Sequence, residues 1–219
     1  TTTITDTTVT ANSAGTDGGG VHAIDVPLVV AGSVIDANHA GGDGGGVWTS
    51  HGVTVERSTF TAGTADHGGA LHSDASVTVT DSTFSGNETA GAGGAIRSLG
   101  PLHVEGSTLE GNRTPDAGGA IAAAGASRLV NSTVVGNEAG LVGGGIGSEA
   151  DVALVHVTFA DNAAPSGADL AMVTPGTELA ATATVTGAGE ACRLVGVTTA
   201  SGGHNRAAED SCGFAAATD

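Results

Sequence analysis

Apolar and polar residues alternate in short runs along most of the chain. The clearest runs are Val53-Thr54-Val55 and Val77-Thr78-Val79, in which every second residue is apolar. Alternation over a few residues is typical of a strand with one buried face, so the apolar members are predicted to face inward. We find no apolar residues at helical spacing, and therefore expect an all-β protein.

Two further patterns accompany each alternating run. One is a Ser-Thr-apolar element such as Ser82-Thr83-Phe84, and the other is a Gly-Gly-small-apolar element such as Gly93-Gly94-Ala95-Ile96. The glycine elements begin at positions 18, 44, 68, 93, 118 and 143, with a degenerate copy at 167. A period of 24 to 26 residues in these positions is the signature of stacked repeats.

The period predicts a parallel β-helix of about seven coils, with three short strands in each coil. Successive coils would pair backbone to backbone and stack like residues on like. The two predicted internal stacks are Val21, Val47, Leu71, Ile96, Ile121, Ile146 and Leu170, and Val9, Ile35, Phe60, Phe84, Leu109, Val134 and Phe159. The small residues two places after the first stack, from Ala23 to Ser148, are also predicted to point inward.

An asparagine column follows the Ser-Thr-apolar elements. Its members are Asn12, Asn38, Asn87, Asn112, Asn137 and Asn162, with Gly63 as the one replacement. Asparagine and glycine both tolerate the left-handed backbone conformation of a sharp corner. We therefore predict that these residues occupy left-handed corners and that the amides form a ladder between coils.

The composition narrows the classes of partner. The chain has no lysine and a formal net charge of −17, which disfavours nucleic acid, anionic membranes and polyanionic substrates. The acidity is equally compatible with a saline habitat or a GC-rich genome. No apolar run approaches the roughly 20 residues that a membrane-spanning helix needs, so no transmembrane segment is predicted.

The period weakens after Pro165, and two domains are predicted: a β-helix over residues 1–186 and a capping segment over residues 187–219. Cys192 and Cys212 are the two cysteines of the chain, and a disulfide between them would pin the cap and indicate an oxidising compartment. Two unpaired buried thiols are the alternative. A metal site that includes His204 is less favoured, because no fourth ligand lies at a recognisable spacing.

The repeat and the tail resemble known families. The Gly-Gly-Ala-Ile and Ser-Thr-Phe-x-x-Asn elements resemble the repeat of the polymorphic outer-membrane proteins and related secreted right-handed parallel β-helix proteins. Three tail segments are similar to the end of β-helix proteins with a "choice-of-anchor" C-terminal module: Ala191-Cys192, Gly202-Gly203-His204-Asn205 and Asp210-Ser211-Cys212-Gly213-Phe214. The resemblance implies a right-handed helix and a secreted or surface-displayed protein, often adhesive.

One outward column is a candidate ligand-binding site. Its large members are His22, Trp48, His72 and Arg97, followed by Ala122 and Gly147. Tryptophan stacks on sugar rings, and histidine or arginine supplies hydrogen bonds or proton transfer. His51, His67 and Asp74 are expected to border this stripe. The alternatives are that the stripe only shields the rod, or that it is a catalytic site.

No catalytic residue, metal or cofactor is predicted. Sugar hydrolysis needs two carboxyl groups at a defined separation, and the sequence motifs that would supply them are missing. We expect a non-catalytic extracellular or cell-surface module with a structural, adhesive or assembly role. The alternative is a carbohydrate-binding or carbohydrate-active protein that uses the stripe. The expected partners are a glycan, another surface protein, or a second copy bound end to end through the N-terminal coil.

Overall fold

The backbone winds into a parallel β-helix with four sheets. The computed structural model describes residues 1–187, 190–206 and 210–214. Every strand pairing between these residues is parallel and joins one coil to the next, as in Leu71↔Ile96 and Ile96↔Ile121. The all-β parallel solenoid predicted from the period is thus confirmed.

Sheets A and D contain the most strands within the described residues. Sheet A consists of Thr2–Thr5, Leu28–Ala31, Val53–Glu56, Val77–Thr80, Leu102–Glu105, Ser127–Val130, Val152–Val155, Glu178–Thr182 and Thr198–Ser201. Sheet D consists of Val21–Ala23, Val47–Thr49, Leu71–Ser73, Ile96–Ser98, Ile121–Ala123, Ile146–Ser148, Leu170–Met172 and Cys192–Leu194. The helix therefore has about eight coils, one more than predicted.

Sheets B and C lie between sheets A and D along each coil. Sheet B consists of Thr8–Thr10, Val34–Asp36, Thr59–Thr61, Thr83–Ser85, Thr108–Glu110, Thr133–Val135 and Thr158–Ala160. Sheet C consists of Ser13–Ala14, His39–Ala40, Thr64–Ala65, Glu88–Thr89, Arg113–Thr114 and Glu138–Ala139. The prediction of three strands per coil is wrong, because the two-residue strands of sheet C are too short to show alternation.

The core consists of identical positions from successive coils, stacked in register. The partners Phe60 and Phe84 stack with ring centroids 4.8 Å apart and planes at 10°. Both predicted internal stacks lie inside, with only the first-coil members Val9 and Val21 partly exposed. The small residues from Ala23 to Ser148 are also buried, as predicted.

The tail continues the strand pairing of the helix, and a disulfide links two of its residues. Cys192–Leu194 pairs with Leu170–Met172 in sheet D, and Thr198–Ser201 pairs with Glu178–Thr182 in sheet A. The predicted disulfide between Cys192 and Cys212 is present, with Cα atoms 4.9 Å apart. A 3-10 helix at Asp210–Cys212 follows. Residues 188–189, 207–209 and 215–219 of the predicted cap lie outside the described ranges.

The asparagines form an internal ladder but do not adopt the left-handed conformation. That conformation belongs to the preceding residue of each corner, for example Ala37 at φ 50° and Gly111 at φ 59°. The corner thereby turns the asparagine inward, where Asn112 accepts hydrogen bonds from N and Nδ2 of Asn87 at 3.0 and 2.9 Å. The predicted ladder is correct, and the predicted backbone conformation is wrong.

The ladder ends on a buried carboxylate. Nδ2 of Asn162 donates to Asp169 Oδ1 at 3.0 Å, and the backbone N–H of Gly187 donates to Asp169 Oδ2. Burial raises the pKa of the Asp169 carboxyl, and these two hydrogen bonds partly oppose the shift.

Gly63 replaces asparagine for a steric reason. A Cβ on Gly63 would collide with the carbonyl oxygen of Gly69. The φ of Gly63 is not positive, so a left-handed backbone is not the reason for a glycine at this position.

Candidate functional site

Two columns of side chains lie beside each other on the outer face of sheet D. The first is the predicted stripe, which the register stacks as His22, Trp48, His72, Arg97, Ala122 and Gly147. The second, which we call the flanking column, precedes each left-handed glycine and consists of Asp17, Asp43, His67, Ala92, Ala117 and Val142.

The glycine turns bring the columns together. Gly44 has φ 68°, and a Cβ on it would lie 2.3 Å from the carbonyl oxygen of Val47. Only glycine allows the backbone to fold back so closely. Residues of the flanking column are consequently held against the stripe.

The first two stripe residues form an aromatic pair. The rings of His22 and Trp48 meet edge to face, with centroids 4.6 Å apart and planes at 71°. His22 is exposed and Trp48 half-buried, so the pair presents an aromatic surface to solvent. This part of the stripe lies as the sequence predicts.

The stripe prediction required an exposed His72, but His72 does not lie open on the surface. It points away from the core, yet its residue is only 5% exposed. Asp43 Oδ2 from the preceding coil lies 3.4 Å from Nδ1, and Asp74 Oδ1 lies 3.1 Å from Nε2. His67 adds to this cluster through Nδ1, which lies 2.9 Å from Asp43 Oδ1. Of the three predicted bordering residues, His67 and Asp74 join the cluster, whereas His51 contacts Ser50 instead.

This geometry acts on the pKa of His72 in opposing directions. Nε2 has hydrogen-bond geometry to Asp74, whereas Nδ1 is buried without a hydrogen-bond partner. A neutral ring therefore carries its proton on Nε2 and turns the Nδ1 lone pair toward Asp43. Burial lowers the pKa of His72, and the two carboxylates oppose this shift while Arg97 adds to it.

Arg97 lines a small groove, which we call the sheet D groove. Small residues form part of its lining, because the stripe continues as Ala122 and Gly147 and the flanking column includes Ala117. The groove has a volume of about 250 Å³. The Arg97 guanidinium makes no hydrogen bond or ion pair with any described residue, so the sheet brings His72 and Arg97 side by side without joining them.

A larger groove, which we call the sheet C groove, was missed by the sequence reasoning. It has a volume of about 850 Å³ and runs along the two-residue strands of sheet C. The outward residues on its floor are His39, Thr64, Glu88, Arg113 and Glu138. A sequence signal for them exists, since each directly follows the asparagine column or its replacement Gly63.

The described part of the chain contains neither a metal-ligand cluster nor a membrane-spanning helix. No group of three or more histidine, cysteine, aspartate or glutamate side chains there is arranged to hold a metal ion. Among the same residues, no helix has the length and apolar character needed to cross a membrane.

A known protein family matches most of the chain. The family described as a right-handed beta helix region matches residues 1–164. The chain belongs to this right-handed β-helix family. This match supports the right-handed sense that the sequence resemblance implied, but it does not show the polymorphic outer-membrane or choice-of-anchor likeness. Comparisons with curated proteins and with solved structures give no match.

Proposed function

We propose that this β-helix is a non-catalytic extracytoplasmic module that acts as a structural or adhesive rod. The observation that carries the proposal is the continuity of sheets A and D across all the coils. Each pairing in these sheets follows the previous one without a long loop inserted between coils. A scaffold of this kind presents regular side-chain columns along an extended surface.

The burial of His72 supports a non-catalytic role. A general acid or base must come within about 3 Å of a proton on the substrate. His72 is buried between Asp43 and Asp74, where a substrate does not reach it without displacing those carboxylates. The disulfide supports an extracytoplasmic site, because such bonds persist in oxidising compartments. We also propose that the protein is displayed on a cell surface as a passenger, as in the families that it resembles.

A turnover and binding screen tests this function. Purified protein is incubated with a panel of neutral and acidic polysaccharides, and new reducing ends and unsaturated products are measured. Protein-coated beads are then tested for retention on the same glycans and on immobilised surface proteins. We expect retention without turnover. Polysaccharide cleavage by the purified protein would overturn the proposal.

Carbohydrate binding is a second candidate, favoured by the exposed edge-to-face pair of His22 and Trp48. A glycan array with the parent protein and Trp48→Ala tests it. Leu141→Ala is the matched control, because it removes an exposed apolar side chain that is 56% accessible and outside the stripe. Loss of a bound glycan in Trp48→Ala alone supports this candidate, and equal binding by all three proteins removes it.

End-to-end association is part of the proposal. Thr2–Thr5, Thr8–Thr10, Ser13–Ala14 and Val21–Ala23 are the outer strands of their sheets at one end of the described helix. Unpaired strand edges favour pairing with another chain. Light scattering across a range of protein concentrations is expected to show a growing mass, and a constant monomer mass would contradict self-association.

A further inference from the structure

The sheet C groove has the dimensions of an extended peptide. Five successive coils, from His39 to Glu138, contribute its floor. At a coil spacing of about 4.8 Å, these rungs span roughly 19 Å. An extended polypeptide advances about 3.3 Å per residue, so roughly six residues fit along the groove.

The floor between the outward side chains is formed by small residues. Ala40 and Ala65 occupy the second position of their strands and are buried, and Gly41 and Gly140 line the same groove. This leaves the polar side chains standing above a shallow floor. A backbone can therefore approach closely while its side chains reach the charged groups.

The groove carries more negative than positive charge. Arg113 is its one arginine, and its Nη2 lies 3.4 Å from Glu138 Oε1. Glu88 and Asp66 are exposed, and their carboxylates have no ion-pair partner within the described part of the chain. On the other side of Thr64 in the floor, His39 Nδ1 is hydrogen-bonded to Thr64 Oγ1 at 2.9 Å. A ligand with cationic groups would complement the two free carboxylates.

We propose that the sheet C groove binds an extended segment of another protein that bears lysine or arginine. A second copy of this chain is a poor source of such a segment, because the chain has no lysine and only six cationic side chains against 23 carboxylates. The proposal goes beyond the structural or adhesive role and is independent of the sheet D stripe.

Fluorescence anisotropy with defined peptides tests the proposal. The probe is a fluorescein-labelled octapeptide that alternates lysine and serine, and the control probe alternates glutamine and serine. The measurements are made at low ionic strength, where exposed charges are least screened. We expect the lysine peptide to bind and the glutamine peptide to bind at least ten-fold more weakly. Equal binding of both peptides, or binding of neither, would overturn the proposal.

Competition separates an extended peptide from a simple cation. Spermine carries about the same positive charge as the lysine octapeptide but no peptide backbone. We expect it to compete at least ten-fold less well than unlabelled peptide. Competition at equal concentration would refute peptide recognition in favour of unspecific attraction.

Three variants place the peptide in the groove. Exposed ion pairs contribute modestly, so Glu88→Gln is expected to weaken binding about two- to five-fold. Arg113→Gln removes the competing cation and frees Glu138, so binding should tighten by a similar factor. Glu149→Gln is the matched control, because it removes the same charge at an exposed position beside the sheet D groove. A Glu149→Gln effect as large as that of Glu88→Gln, or weaker binding by Arg113→Gln, would contradict this location.

Discussion

The asparagine ladder predicts a large stability loss for one small substitution, Asn112→Ala. The Asn112 side chain is fully buried and makes four hydrogen bonds. Its Oδ1 accepts from N and Nδ2 of Asn87, while its Nδ2 donates to the carbonyl of Phe84 at 3.0 Å and to Asn137 Oδ1 at 2.9 Å. Alanine keeps the backbone but removes all four bonds.

The magnitude follows from the groups left behind. Asn87 loses the acceptor of its backbone N–H and one acceptor of its amide, although its Nδ2 still donates to the carbonyl of Phe60. A buried polar group without a partner destabilises the folded state by about 1–3 kcal/mol. With two donors of Asn87 affected and the donors of Asn112 removed, we expect the free energy of unfolding to fall by about 3–5 kcal/mol.

Asn12→Ala is the matched control for this prediction. Asn12 is exposed in the first coil, and its Nδ2 donates to Asn38 Oδ1 and to the carbonyl of Thr10. Water can replace these bonds, so the expected loss is about 0.5–1 kcal/mol. Urea unfolding monitored by circular dichroism gives both values. A loss for Asn112→Ala no larger than that for Asn12→Ala would refute the view that the buried ladder stabilises the helix.

Three other perturbations have defined outcomes. Phe84→Ala removes one ring of the buried Phe60–Phe84 pair and should lower the free energy of unfolding, measured in urea, by about 3–5 kcal/mol. A loss below about 1 kcal/mol would mean that the coils repack freely. Gly63→Ala places a Cβ against the backbone oxygen of Gly69 and should lower the midpoint of thermal unfolding, with a loss of about 1–3 kcal/mol; an unchanged midpoint would contradict the steric account. The pKa of His72 is lowered in the folded state, so the unfolded chain binds the proton more tightly and stability should decrease as the pH falls below about 6.5. Urea titrations between about pH 7 and pH 5 should show a smaller decrease for His72→Gln, and identical slopes would argue against this linkage.

The period and the inner stacks were readable from the sequence because a β-helix repeats its environment. Each coil places the same position against its counterpart 24 to 26 residues away, so Phe60, Phe84 and Leu109 share one environment and one apolar character. An inward position is therefore visible as a column of similar residues. The cysteine pair was accessible for a simpler reason, since the chain has two cysteines and both lie in the tail.

The short strands lacked visible alternation, and the site depended on contacts between neighbouring columns. Sheet C escaped detection because two residues cannot display alternation, and the sheet C groove remained hidden with it. His72 was assigned to an open surface because its column is outward, but Asp43, 29 positions earlier, covers it. The glycine at position 63 likewise depends on a contact through space, because the carbonyl oxygen of Gly69 leaves no room for a Cβ there.

The amino-acid sequence by itself thus determined which side chains of this protein face the core, because burial repeats with the backbone. Only the tertiary structure decided which outward side chains reach solvent. That outcome depends on how the stripe, the flanking column and the corner between them fill space. The glycine turns set the distance between the two columns in each coil.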